Sequence, residues 1–241
     1  MSSQQEIEPT PVPGTIGVVE ASEDNNAVAA SVARQLPPIY RNRDYMILWS
    51  GQVISNLGSG VSGIVFPLLI LALTGSPAVA GVATALGQFP YLIFSLPVGA
   101  LIDRWDRKRV MIICDLGRGL AMATIPVAIL FNALTIWQIF IVAFVEGSLF
   151  VFFNIAQTAA LPNVVAREQL PQATAQNAAA DGLTGIVGPS LGTLIYQNLG
   201  RAMPFVVDAV SYGVSVVSLA LIKTRFQTQR VATGQRHLLR E

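Results

Sequence analysis

PVGALIDRWDRKRVM, residues 97–111, holds six charged residues among the seven from Asp103 to Arg109, with only Trp105 between them. The 241-residue chain around it is 52% hydrophobic and only 12% charged, with a mean hydropathy of +0.55. Charged residues make up about a quarter of an ordinary soluble domain. A chain this poor in charge, with its charges gathered between two apolar flanks, reads as membrane helices joined by a charged loop. About 20 residues, rising about 1.5 Å each, cross a hydrocarbon core of about 30 Å.

Working outward from that loop, six segments meet this requirement, at 46–74, 78–102, 108–131, 135–160, 170–198 and 203–222. The breaks between them carry turn chemistry. TGSPA at 74–78 is a Gly/Pro turn, FNALT at 131–135 is short and polar, and LPNVVAREQLPQ at 161–172 is the longest inter-helix loop. NLGRAMP at 198–204 ends one helix at Gly200 and starts the next near Pro204. The fold class is an all-α membrane protein with a six-helix transmembrane bundle over 39–224. Residues 1–38 are polar and acidic and carry Pro9, Pro11 and Pro13. They are too poor in apolar surface to offset ordering entropy and read as a disordered cytoplasmic tail, with room for a short helix at 24–35. They lack the basic and apolar regions of a secretory signal. Residues 225–241 read as a second cytoplasmic tail.

Orientation follows from Lys and Arg. Arg34, Arg41, Arg43, Arg104, Arg107, Lys108, Arg109, Arg167, Lys223, Arg225, Arg230, Arg236 and Arg240 fall on one side, and Arg201 alone on the other. The positive-inside rule puts both termini and the 97–111 loop in the cytoplasm. A net charge of +1 offers no bulk field for nucleic acid. Cys114 and His237 are the only cysteine and histidine, so neither an intrachain disulfide nor a zinc-type site is expected, and no cofactor is implied.

The topology rule accounts for the cations of DRWDRKR but not for Asp103, because acids contribute little to it. Asp103 falls at the C-terminal end of helix 2, and Arg107, Lys108 and Arg109 at the N-terminal end of helix 3. Each stands against the helix macrodipole. Only Asp106 is well placed, as an N-cap. Asp103 therefore calls for a partner outside its own helix.

Inside the membrane a charge costs about 2.5–3.5 kcal/mol on insertion scales, so each one needs a reason. Glu146, Asn154 and Gln157 share a face of helix 4, with Phe150 between them. Helix 1 carries Gln52, Asn56, Ser59 and Gly63, and helix 5 carries Asn177, Asp181, Thr184, Gly188 and Gly192, each as one stripe. Three such stripes suggest a shared aqueous cavity, with Gln52, Asn56, Glu146, Asn154 and Asp181 as the candidate proton and substrate site. Glu146 reads as a carboxyl that takes up and releases a proton; the competing reading is an uncharged structural carboxyl. Gly188 and Gly192 suit tight helix packing, and Gly185, Gly188 and Pro189 together could bend helix 5. Asp115 and Arg118, three apart on helix 3, are expected to pair, and Asp115 could also join an Asp103–Arg109 network. Asp208, near the outer end of helix 6, reads as interfacial. Gly58-x-Gly60-x-x-Gly63 spells a dinucleotide fingerprint but follows no strand. The GVSG at 60–63 spells an intramembrane-protease motif whose histidine would lie in the tail.

GALIDRWDRKRV resembles the signature loop of the major facilitator superfamily, G-x-L-x-D-R-x-G-R-[RK]-[RK]. The matching residues are Gly99, Leu101, Asp103, Arg104, Arg107, Lys108 and Arg109, and Asp106 stands where glycine is usual. NRDYMILWSGQVISNLGS at 42–59, ALPNVV at 160–165, ATAQNA at 173–178 and GIVGPSLG at 185–192 resemble its macrolide-efflux and enterobactin-exporter-like branch. In the last of these, Gly188, Pro189 and Gly192 match an antiporter-like motif. Two departures stand out: Ser59 replaces a frequent acid, and Ala143 and Glu146 replace the helix 4 arginine and glutamine. Proton coupling would thus not run through the superfamily's commonest residues.

The resemblance implies the N-terminal half of a twelve-helix exporter, built as a 3+3 inverted repeat. It implies no enzyme but proton-coupled efflux of a small amphipathic compound, drug or siderophore-like, across the cytoplasmic membrane. Substrate would sit between this half and a second six-helix half, either another copy or a separate chain. The other reading is a non-transporting truncated half, or a membrane subunit awaiting its second half. Asp103 would be one side of a latch closing on a helix end of that opposite half.

Overall fold

A computed structural model describes residues 37–224 and Phe226. The expectations for the first 36 residues, with the short helix at 24–35, and for the C-terminal tail with His237 lie outside the described residues. A 3-10 turn, Ile39–Arg41, leads into α1, Arg43–Thr74. There follow α2, Pro77–Ile102; α3, Arg107–Leu130; α4, Ile136–Val164; a 3-10 turn, Arg167–Gln169; α5, Leu170–Leu199; and α6, Met203–Leu221. The described residues contain no strand.

Local chemistry sets the helix ends. Asn42 caps α1 by accepting from Tyr45 N at 3.1 Å, and Asp106 caps α3 by accepting from Arg109 N at 3.0 Å. Thr135 does the same for α4 through Gln138 N at 3.3 Å. Gly75 ends α1 at φ +66, a left-handed conformation natural to glycine, with its N–H on Leu71 O at 2.8 Å.

The loop expected at 161–172 is shorter than its sequence suggests, because α4 runs on to Val164 through Pro162. Two carbonyls of its last two turns take outside donors: Ala159 O takes Arg107 Nη1 at 2.8 Å, and the terminal Val164 O takes Asn42 Nδ2 at 2.8 Å.

α1 packs between α5 and α6, α3 between α6 and α4, and α2 lies on α4. Two apolar clusters form inside. One, at the end that carries the 97–111 loop, holds Tyr45, Leu48, Ile102, Met111, Phe153 and Leu219. The other, at the opposite end, holds Val65, Ile70, Ile125, Ile139 and Phe205. Much of the outside is apolar too, with Leu96 87% and Leu92 77% exposed. Five of the six long helices are long and apolar enough to cross a membrane; α5, polar along its first half, is not among them.

Helix backbones come into contact where glycines meet. A Cβ on Gly188 would lie 2.7 Å from Gly60 Cα and 2.9 Å from Gly60 C, and one on Gly192 would strike Val61 O. Between α2 and α4, a Cβ on Gly147 would strike Gly87 O. Backbone cannot swing aside, so Gly188→Ala must part α1 from α5. The expected cost is about 1–3 kcal/mol, read as a lowered Tm of the purified chain in detergent. Gly185, three residues earlier, has nothing within 4 Å of its would-be Cβ. Gly185→Ala is therefore expected to be neutral or, through helix propensity, stabilising by up to about 1 kcal/mol. Equal melting of the two variants would refute this packing role.

Candidate functional site

Between the two apolar clusters lies a polar layer drawn from four helices. α1 supplies Gln52, Ser59 and Ser62; α3, Asp115 and Arg118; α4, Glu146; and α6, Asp208, Ser211, Tyr212 and Ser215. On α1, α3 and α6 these residues are spaced by three, four or seven positions, so those of one helix face inward together. Burial is nearly complete: Asp115, Asp208, Tyr212 and Ser215 are 0% exposed and Arg118 is 4%.

Arg118 is the hub. Its Nε and Nη2 both donate to Glu146 Oε1, at 3.0 and 2.6 Å. Its Nη1 is 3.8 Å from Asp115 Oδ1, a charge contact without a hydrogen bond. The guanidinium is also stacked on aromatic faces, 4.4 Å from the Tyr212 centroid and 5.2 Å from that of Phe150. Tyr212 OH donates to the same Glu146 Oε1 at 2.9 Å and lies 2.8 Å from Ser59 Oγ. Ser59 in turn reaches Asp208 Oδ1 at 3.5 Å, and Ser62 donates a short hydrogen bond to Asp208 Oδ2. On the other flank, Gln52 Nε2 donates to Ser215 Oγ at 3.2 Å, and Ser215 donates to Asp115 Oδ2 at 2.5 Å. The result is one connected path, Gln52–Ser215–Asp115–Arg118–Glu146–Tyr212–Ser59–Asp208, with three carboxyls around one guanidinium.

Of these carboxyls only Glu146 reaches the outside. Its side chain is 22% exposed, and Oε2 makes no hydrogen bond among the described residues. On a separate face, Asn56 Nδ2 donates to Asp181 Oδ1 at 2.7 Å, joining α1 to α5. Asn154 is exposed and has no part in either cluster. Among the described residues no three acid, histidine or cysteine side chains come together as a metal site.

The 97–111 loop forms a second constellation. Asp103 Oδ1 lies 3.3 Å from Arg107 Nη2, its partner from the start of α3. Arg107 Nη1 donates to Ala159 O, in the second-last turn of α4, and to Phe226 O at 3.4 Å. Lys108 Nζ donates to Ile222 O at 2.6 Å and Ala220 O at 3.3 Å, at the end of α6. These two cations, which stand against the dipole of their own helix, therefore serve the electronegative C-terminal ends of two others. Gly99 lies in the last turn of α2 and meets no neighbour within 4 Å of a would-be Cβ; Arg104 and Arg109 point outward and are exposed.

Residues 48–239 match the family model described as Major Facilitator Superfamily. The chain belongs to this superfamily. Its members are transporters, not enzymes, and with its apolar helices the chain is an integral membrane protein. It is similar to Macrolide efflux protein A of Streptococcus pyogenes, 26% identical over 82% of this chain and 49% of the relative. It is also similar to Multidrug efflux pump Tap of Mycolicibacterium fortuitum, 28% identical over 74% of this chain and 45% of the relative. The chain spans about half the length of the curated relatives it matches.

Several expectations change in this Major Facilitator fold. Asp208 is not interfacial: it is fully buried, because α6 turns it toward Ser59 and Ser62 of α1. Asp115 does not join Asp103 and Arg109, since its carboxylate is held by Ser215 deeper in the bundle. It approaches Arg118 as expected, but the closer partner of Arg118 is Glu146. Gln52 and Asn56 do not share a cavity wall, because Gln52 turns to α6 and Asn56 to α5. Tyr212, Ser62 and Ser215 escaped the sequence reading. The signal for Tyr212 and Ser215 is the three- and four-residue spacing of Asp208, Tyr212, Ser215 and Leu219 along α6, legible once Asp208 is known to face inward; for Ser62 it is the matching step from Ser59 along α1.

Proposed function

We propose that this chain is one six-helix half of an efflux transporter that exchanges a small amphipathic compound for protons. In this reading both termini are cytoplasmic and all six helices span, α5 included. The polar first half of α5 would face a water-filled cavity with Asn56 and Asp181, rather than lipid, where such groups are expensive. A 3+3 repeat is supported by the neighbours: exchanging α1–α3 for α4–α6 turns the α1–α6 contact into α4–α3 and the α2–α4 contact into α5–α1, and each of these is a close contact here. The glycine contacts obey the same exchange, Gly60 with Gly188 and Gly147 with Gly87.

The observation that carries the function is Glu146, a carboxylate open to the outside on one oxygen and tied on the other to a buried arginine and a buried tyrosine. Protonating it would weaken its hold on Arg118 and Tyr212 and loosen the contacts among α3, α4 and α6. A proton gradient could thereby bias the shape of the bundle. The exposed polar pair Asn56–Asp181 and the exposed Asn154 favour a second six-helix half covering this side, as another copy, a separate chain or further polypeptide. Asp103 would then latch against that half.

The test is flux of a fluorescent amphipathic dye and of a labelled macrolide in proteoliposomes with an imposed pH gradient. Gradient-driven flux is expected when the chain is present with a second half. Flux from the chain alone would make a homodimer sufficient, and no flux in any arrangement would support the non-transporting reading and overturn this one.

A further inference from the structure

The fold uses only part of the charge in the 97–111 loop. Arg107 is bound to Asp103 and to carbonyls, and Lys108 to carbonyls. Arg104 and Arg109 are exposed and form no ion pair or side-chain hydrogen bond among the described residues. Both stand at the mouth of a groove of about 570 Å³ that runs from the loop down the side of α3 over α4. Trp105, 44% exposed, shares the mouth. Below it the walls turn apolar, with Ile113 on α3 and Leu149 and Phe152 on α4. Ile113 is 65% exposed, so the groove is open sideways along its length.

Only one chemistry matches this layout from top to bottom. Two unpaired guanidinium forks at the head call for a phosphodiester, which arginine binds with planar, bidentate hydrogen bonds. The one acid at the mouth, Asp106, caps α3 through its Oδ1 and forms no ion pair with either arginine side chain. A tryptophan at that level matches the preference of indole for the headgroup zone. The apolar lower groove matches a hydrocarbon chain, and its sideways opening in an integral membrane protein faces the bilayer. A free phosphate or a soluble nucleotide would leave the lower groove empty. The positive-inside rule explains why cations lie on this side, but not why two of them frame an apolar groove.

We propose that Arg104, Trp105 and Arg109 bind the headgroup of an anionic phospholipid whose acyl chain lies against Ile113, Leu149 and Phe152. The bound lipid would complete the outer wall between α3 and α4 beside the loop.

The full chain, purified in detergent, would be titrated with dioleoyl-phosphatidylglycerol or dioleoyl-phosphatidylcholine and the retained lipid counted by native mass spectrometry. Preferential retention of phosphatidylglycerol is expected. The double variant Arg104→Ala/Arg109→Ala should weaken it roughly 30-fold, from two basic contacts at the membrane surface. Ile113→Trp, which keeps every charge but fills the groove, should also weaken it, and glycerol 3-phosphate should not compete. The double variant Arg41→Ala/Arg167→Ala removes two exposed cations elsewhere and should leave binding intact. Equal retention of the two lipids, equal loss in the two double variants, no effect of Ile113→Trp, or displacement by glycerol 3-phosphate would each overturn the proposal.

Discussion

Arg118→Ala is expected to cost the bundle about 3–5 kcal/mol, the penalty for stripping a buried charge of its partner. The residue is 4% exposed and holds Glu146 through two nitrogens at 3.0 and 2.6 Å. Without it, Asp115 and Asp208 remain fully buried with only hydroxyl partners, and Tyr212 and Phe150 lose the cation stacked between them. Arg118→Lys keeps the charge but cannot present two nitrogens in one plane, so it should fall between alanine and the parent. The double variant Arg118→Ala/Glu146→Gln removes both members of the closest pair and should be less damaged than Arg118→Ala alone. Thermal or SDS unfolding of the purified chain reads all three. An Arg118→Ala variant within about 0.5 kcal/mol of the parent would mean that the network contributes no more than an ordinary surface substitution removes.

Glu146→Gln is expected to bring pH-driven flux down to the level of empty vesicles while leaving the chain folded. Glutamine keeps the shape of the side chain, and its carbonyl oxygen can still accept from Arg118 and Tyr212. What it loses is the charge and the exchangeable proton at the one carboxyl of the layer with access to the outside. Substrate exchange with no gradient should survive, because it needs the conformational cycle but not net proton movement. That separation distinguishes a proton-handling residue from a structural one, which would fail in both assays. Tyr212→Phe removes the hydroxyl that joins Glu146 to Ser59 and Asp208 and should slow gradient-driven flux without abolishing it. Unchanged gradient-driven flux in Glu146→Gln would remove the basis of the coupling proposal.

The helices were legible because their ends are written locally. Asn42, Asp106 and Thr135 are caps, and Gly75 is a left-handed stop, so spacing and residue type suffice. Arg118 and Glu146 were legible as costs, since a charge in an apolar helix demands compensation. What compensates each was not legible. Which face of α6 meets α1 depends on helix rotation, which periodicity alone does not fix. Asp208 sits only five residues past the start of α6 at Met203, and distance from a helix end misleads about depth when the neighbouring helix offers two serines. Arg107 and Lys108 hid their partners for a similar reason. Their partners are the C-terminal carbonyls of α4 and α6, more than fifty and more than a hundred positions away along the chain.

Those carbonyl contacts have a mechanical consequence. Through Arg107 and Lys108 the loop ties α2, α4 and α6 to the start of α3 at this end of the bundle. Parting any one of them from α3 here would break a charge-assisted contact, whereas separation at the opposite end of the bundle would break none of these.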